Sequence, residues 1–237
     1  MTSVGRPSPV RVLVEATSSR AFASALDWPG WSRSGRTPEA AMEALRAYAG
    51  RYAAVLRAAG LDASAVDAGG DPRAGGASRV SAAVELDVVE TLAGDASTAF
   101  GVPSRIGEAD RVPTSGQEAA RLAAIVAAAW VEFDRVAAAA PEALRKGPRG
   151  GGRDRSRIVA HVRDADLGYA GQLGLRLQLP PEPRAADVAA CRSAMLEVLG
   201  RASDGSPIAR RWTARYAARR IAWHALDHAW EIEDRSG

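Results

Sequence analysis

Residues 219–235 read RRIAWHALDHAWEIEDR and contain two of the three histidines in this chain, His224 and His228. In a helix, residues four apart lie one above the other on the same face, so both imidazoles can reach a single point in space. The two histidines fall within the apolar stripe of this stretch, which consists of Ile221, Ala225 and Ile232. The stretch therefore predicts a helix that turns two metal-ligand side chains toward the core.

The remaining histidine, His161, lies in SRIVAHVRDADLGYA, residues 156–170, beside a second helical stripe. Three neutral imidazoles from two helices would make a three-nitrogen metal site with an open position for water or substrate. Zinc, nickel and iron all accept such ligands. An unpaired buried polar group costs roughly 1–3 kcal/mol, so buried histidines need partners. The alternative to a metal site is that the histidines are core residues satisfied by hydrogen bonds.

The C-terminal half has the pattern of four amphipathic helices. The first begins near Thr114 or Ser115, where either residue can cap it, and is stopped by Pro141. The second runs over about residues 154–176, the third contains Cys191 as a small core residue, and the fourth covers about residues 208–234. Helices of this length bury their stripes together as a bundle, in which metal sites are built from facing helices.

From about residue 114 onward, the chain resembles the DinB-like four-helix bundles, which include YfiT-type proteins and mycothiol-dependent maleylpyruvate isomerases. That family carries one ligand histidine on its second helix, matched by His161, and an HxxxH pair on its fourth, matched by His224 and His228. The resemblance implies a divalent metal and a thiol transferase or isomerase acting on a small-molecule substrate. It also implies a low-molecular-weight thiol, mycothiol or bacillithiol, as co-substrate, and it allows a homodimer.

Three carboxylates lie within one helical turn of a histidine and could orient the imidazoles or act as general bases. Glu231 and Asp164 are the candidate catalytic residues. Asp227 is expected to be a solvated or salt-bridged carboxylate.

Arginines are concentrated in two places. The loop LRKGPRGGGRDRSR, residues 144–157, contains Arg149 and Arg153, which are candidates for binding an anionic cofactor, although a solvated loop is the alternative. The other arginines, Arg211, Arg215 and Arg219, recur every four residues and predict a solvated or salt-bridged helix face.

The N-terminal part predicts three strands followed by a helix, at Val10 to Ala16, Ala21 to Leu26, Trp31 to Ser34, and from Pro38, capped by Thr37, to Gly60. This order, with its PGW turn and GRTPEAAMEAL helix start, resembles the HicB-like antitoxin fold. The resemblance implies a surface that binds a protein or nucleic acid, and the alternative is a scaffold that packs on the bundle. Trp28 and Trp31 are expected in a core or an interface.

The expected fold is thus α+β, with a HicB-like domain over residues 1–62 and a DinB-like up-and-down bundle over residues 114–237. Residues 63–113 are expected to form a linker with one strand, near residues 80–90, and an ordered connection. The alternative function is a HicB-like binding module whose bundle has a structural or non-catalytic metal site.

Composition narrows the function classes. With 47% apolar and 25% charged residues the chain resembles ordinary soluble proteins, and a net charge of +3 does not favour a nucleic-acid partner. No run approaches the roughly 18 apolar residues of a membrane span, and the N-terminus lacks a secretory apolar core. The single cysteine of the chain cannot form an internal disulfide. We therefore expect a cytoplasmic protein.

Overall fold

The computed structural model describes residues 8–66, 84–146 and 152–236. These residues form two compact units, one extending to Ala109 and one starting at Asp110. The first unit contains a sheet and short helices, and the second is helical, so the chain is α+β as expected. No helix in the described ranges is both long and apolar enough to cross a membrane.

A four-stranded sheet in the order β3-β2-β1-β4 forms the first unit. Strands β1 (Val10–Ala16), β2 (Ala21–Ala25) and β3 (Ser32–Gly35) are consecutive antiparallel neighbours, which confirms the three predicted strands. The last strand, β4 (Leu86–Ala93), runs parallel to β1. The strand predicted near residues 80–90 is therefore present, although it extends to Ala93. Residues 80–83 of the predicted range lie outside the described residues.

Two helices replace the single helix predicted to end at Gly60. Helix α1 (Pro38–Ala47) is capped by the Thr37 side chain, as predicted, and α2 (Ala49–Ala58) follows after a break at Tyr48. The indole nitrogen of Trp31 donates to the Leu45 carbonyl at 2.9 Å. That carbonyl is the acceptor that a continuous helix would offer to Ala49, so a tertiary hydrogen bond overrides the helical periodicity here.

A short helix that the sequence did not predict, α3 (Ala96–Phe100), lies in the connection after β4. It is fixed by the carboxylate of Glu15, which is 1% exposed. Glu15 accepts from the Thr98 hydroxyl at 2.7 Å and from the backbone amides of Ser104 and Arg105, each at 3.0 Å. Buried carboxylates need such donors, so this contact accounts for an ordered connection.

The second unit contains the four helices predicted for it: α4 (Gly116–Ala139), α5 (Arg155–Gln172), α6 (Ala185–Leu199) and α7 (Ala214–Ser236). The Ser115 hydroxyl caps α4 by accepting from the Glu118 amide at 3.2 Å. Helix α5 ends before residue 176 because Gly174 has a positive φ of 80°. Helix α7 starts later than predicted. In its first turn the backbone amide of Ala217 donates a hydrogen bond to the Thr213 carbonyl.

Helix α7 lies at the centre of this unit, and most of its residues between 214 and 232 are buried. Arg215 and Arg219 are also buried, at 7% and 6% exposed. The prediction that these arginines form salt bridges is therefore correct for both residues, and the alternative prediction of a solvated face is wrong. Arg219 forms a two-point ion pair with buried Asp110, with distances of 2.9 and 2.6 Å. Arg211 is exposed. Cys191 is buried, as expected.

Candidate metal centre

The two helices α5 and α7 bring the three histidines together. One ring nitrogen of each residue can be chosen so that all three lie within 4.8 Å of one another. The closest pair is Nε2 of His161 and Nε2 of His224, at 3.2 Å. The ring centroids are 4.6 Å apart for His224 and His228, and 5.0 Å apart for each pair that includes His161. The HxxxH spacing and the third histidine thus converge on one region.

Glu231 orients one of the imidazoles. Its carboxylate lies 2.7 Å from Nδ1 of His228 and also accepts from Arg235 at 2.8 Å. The hydrogen bond from His228 and the charge of Arg235 hold the pKa of Glu231 below its usual range. An ionised Glu231 keeps the proton of His228 on Nδ1, which leaves Nε2 with a lone pair for a metal.

The other two histidines are held neutral. Burial, with the positive charge of Arg220, lowers the pKa of His224 to about 2. Burial and the charge of Arg153 lower the pKa of His161. Metals bind the neutral imidazole, so this electrostatic environment suits a ligand set.

The spacing of the ring nitrogens bears on whether the histidines hold an ion or hydrogen-bond one another. A tetrahedral zinc ion with bonds of about 2.0–2.1 Å separates its ligand nitrogens by roughly 3.3–3.4 Å, close to the 3.2 Å between His161 and His224. A hydrogen bond between these two rings has a similar length, but it does not involve His228. In addition, Nδ1 of His224 is buried with no hydrogen-bond partner in the described structure. The pair His161 and His224 matches the ligand spacing of a divalent ion, and His228 has a ring nitrogen within 4.8 Å of both. A hydrogen-bonded pair of histidines alone leaves the convergence of His228 unexplained.

The remaining predicted residues are placed differently. The side chain of Asp164 is 73% exposed and lies 3.9 Å from Arg163, and its charge acts on His161 from the surface. Arg153 is also exposed, and its charge reaches both His161 and His224. Arg149 lies outside the described residues.

An aromatic shell beside the histidines was not identified as part of the site from the sequence. The rings of Tyr169 and Trp223 lie 5.6 and 6.1 Å from that of His224, and Trp212 lies 5.2 Å from Tyr169. Arg220 lies over the rings of Trp223 and Tyr169. Helical spacing could have found two of these residues, because Arg220 is one turn before His224 and Tyr169 is two turns after His161.

Comparison with known proteins identified no relative. No family model, no curated protein and no solved structure matches the chain. Function is therefore inferred from the residues of the chain and their arrangement.

Proposed function

We propose that the second unit is a divalent-metal-dependent DinB-like enzyme whose metal ligands are His161, His224 and His228. The observation that supports this most is that three imidazoles from two helices converge, all within 4.8 Å, with an ionised Glu231 orienting one of them. Zinc, nickel and iron are all compatible with three imidazoles. Three neutral ligands leave the ion its full positive charge.

Such an ion, when bound, supplies Lewis acidity and lowers the pKa of a water or thiol that reaches it. Because thiolates are strong nucleophiles at neutral pH, this chemistry suits transfer or isomerisation reactions that use a low-molecular-weight thiol such as mycothiol or bacillithiol. The proposed reaction class is therefore a thiol transferase or isomerase with a small-molecule substrate.

Each protein residue has a defined part in this proposal. Glu231 holds the proton of His228 on Nδ1 and so positions the ring. The rings of Tyr169 and Trp223 limit the access of water to His224. Asp164, at the exposed rim, can exchange protons with solvent, and Arg153 places positive charge beside His161 and His224 for an anionic co-substrate.

Metal content tests the proposal directly. Mass spectrometry of the untagged protein, supplied with zinc and then freed of loosely bound ions, is expected to give near one equivalent of metal. The His224→Ala, His228→Ala double variant is expected to retain none, while Glu182→Gln, which removes an exposed carboxylate, is expected to match the wild type. Metal retained by the double variant, or none held by the wild type, refutes the site.

Cobalt substitution then tests the thiol. Cobalt(II) bound to three imidazoles gives visible absorption bands that report its coordination. Addition of mycothiol or bacillithiol is expected to produce a sulfur-to-cobalt charge-transfer band in the near ultraviolet, and S-methylated thiol is the control. A spectrum unchanged by either thiol argues against thiol chemistry while leaving the metal site intact.

A second candidate function, a HicB-like protein-binding module in the first unit, is favoured by apolar side chains on its surface. The edge strand β4 exposes Val88 and Val89, each at 44%, and α3 exposes Phe100 at 85%. An exposed edge strand is a surface on which a partner strand can pair. Affinity capture with the full chain should recover a partner that the Val89→Glu variant does not recover, and equal recovery by both excludes this surface.

A further inference from the structure

The four arginines of α7 differ in their partners. Three donate to carboxylates, in the pairs Arg215–Glu118, Arg219–Asp110 and Arg235–Glu231. The fourth, Arg220, makes no ion pair with any residue in the described parts of the chain. Its Nη1 is buried and lacks a hydrogen-bond partner there. Since a buried N–H group normally has an acceptor, Nη1 of Arg220 lacks a partner that such groups usually have.

Aromatic rings hold this guanidinium beside the three-histidine site. Cζ of Arg220 lies 4.6 Å from the centroid of the Trp223 ring and 5.2 Å from that of Tyr169. The Tyr169 ring lies 5.6 Å from that of His224. Stacking satisfies the faces of a guanidinium but not the N–H groups along its edge, which remain available for an acceptor.

The missing acceptor can be identified by its chemistry. A guanidinium presents a planar fork of N–H donors that matches the two oxygens of a carboxylate. The hydroxyl of Tyr169 makes no hydrogen bond within the described ranges, and a phenol is protonated at neutral pH, so it can donate. The charge of Arg220 and the neutral hydroxyl of Tyr169 match the single negative charge of a carboxylate. A phosphate dianion would need more cations than this pair supplies.

We infer that Arg220 and the Tyr169 hydroxyl form a subsite that binds the carboxylate of a small molecule beside the three-histidine site. The identification of this molecule as the substrate rests on the proposed function. Binding of the carboxylate itself does not, because neither residue is a metal ligand. The substrate class is then a carboxylic acid whose reacting group lies toward His224.

Fluorine NMR of the metal-free, full-length protein tests the subsite with para-fluorobenzoate as the probe. The wild type is expected to bind it, and para-fluorobenzamide, which has the same shape without the charge, is expected to bind at least about tenfold more weakly. Arg220→Met is expected to raise the dissociation constant for the benzoate about tenfold or more, and Tyr169→Phe about threefold to tenfold. Arg220→Lys keeps the charge but loses the fork, so its constant is expected to lie between those of wild type and Arg220→Met.

Matched controls separate this proposal from the metal site. Arg201→Met removes the same charge from an exposed position and is expected to bind the benzoate like the wild type. Arg220→Met is expected to keep its metal equivalent, so loss of metal and loss of carboxylate binding are scored independently. The proposal is overturned if Arg220→Met binds the benzoate as the wild type does, if the wild type does not bind it, or if inorganic phosphate displaces it at lower concentration than acetate does.

Discussion

Two polar clusters in the helical unit differ in how completely their groups are paired. In the ion-pair cluster of α4, α5 and α6, Asp166 accepts from the Trp130 indole at 3.2 Å and from Arg192 at 3.1 Å. Arg192 also donates to Asp134 at 2.8 Å. In the three-histidine site of α5 and α7, by contrast, His224 and Arg220 each have a buried nitrogen without a partner in the described structure.

The difference separates two uses of buried polar groups. A cluster whose members satisfy one another fixes the positions of helices, and removing one member leaves an unpaired charge. In a cluster with unpaired nitrogens some buried groups are not satisfied within the protein, and a metal or carboxylate that binds only the folded state adds to its stability. Substitutions in the first should therefore change stability, and substitutions in the second should change binding.

The largest effect is expected from Asp166→Ala. This change leaves the Arg192 guanidinium and the Trp130 indole without their buried acceptor, and the free energy of unfolding at neutral pH is expected to fall by about 3–5 kcal/mol. Urea denaturation measures it. The Asp166→Ala, Arg192→Met double variant should recover most of the loss, because no uncompensated charge remains. A double variant that is as unstable as the two single changes added together would contradict the pairing.

The pH dependence of stability should depend on the same carboxyl. Burial raises the pKa of Asp166 to about 6 in the folded protein, against 3.8 for the ordinary group, and Arg192 and Trp130 oppose the rise. The negative charge of Asp134 adds to the rise. The folded state binds the proton of Asp166 more tightly than the unfolded state does, so protonation of Asp166 stabilises the fold. This stabilisation is fully present below pH 3.8 and is lost as the pH rises through about 6.

At 1.36 kcal/mol per pKa unit, the protonation of Asp166 contributes roughly 3 kcal/mol to the free energy of unfolding. Urea denaturation between acidic and neutral pH should show this decline in the wild type, and Asp166→Asn, which cannot ionise, should flatten it. A stability that rises over the same pH range by an amount that depends on Asp166 would mean that Arg192 outweighs burial.

Metal addition should stabilise the other cluster by a somewhat smaller amount. Zinc at a hundredfold excess over its dissociation constant is expected to raise the free energy of unfolding by about 2.7 kcal/mol, because the ion binds only the folded arrangement of histidines. Thermal unfolding with and without zinc measures the gain. The His224→Ala, His228→Ala variant should show no such gain, and an equal gain in that variant would locate the zinc elsewhere.

Helical periodicity predicted those parts of the site that share one face of a helix. His224 and His228 were found by their spacing, and the four helices of the second unit by their stripes. Periodicity could not reveal which carboxylate orients an imidazole: Glu231 binds His228, whereas Asp164, equally near a histidine in sequence, is exposed. That choice depends on the angular position of each residue on its helix and on its neighbours.

Contacts between residues distant in sequence account for what was missed elsewhere. The break at Tyr48 depends on the Trp31 indole reaching the Leu45 carbonyl, and the parallel pairing of β4 with β1 depends on residues more than 70 positions apart. Arg215 and Arg219 have the spacing of a surface series, yet Glu118 and Asp110 make their burial favourable. Local pattern identifies such residues but not the partners that decide their burial.

The smallest effect on stability is expected from Arg220→Met, and it gives the sharpest comparison with the neighbouring residue. Arg219→Met leaves Asp110, which is 1% exposed, without its ion-pair partner, so a loss of several kcal/mol is expected. Arg220→Met loses only stacking on Trp223 and Tyr169 and should change the free energy of unfolding by less than about 1 kcal/mol. Urea denaturation of the two variants, which remove the same charge from adjacent positions, measures the contrast. Equal losses would show that Arg220 stabilises the fold as Arg219 does, and its unpaired Nη1 would then no longer indicate a ligand.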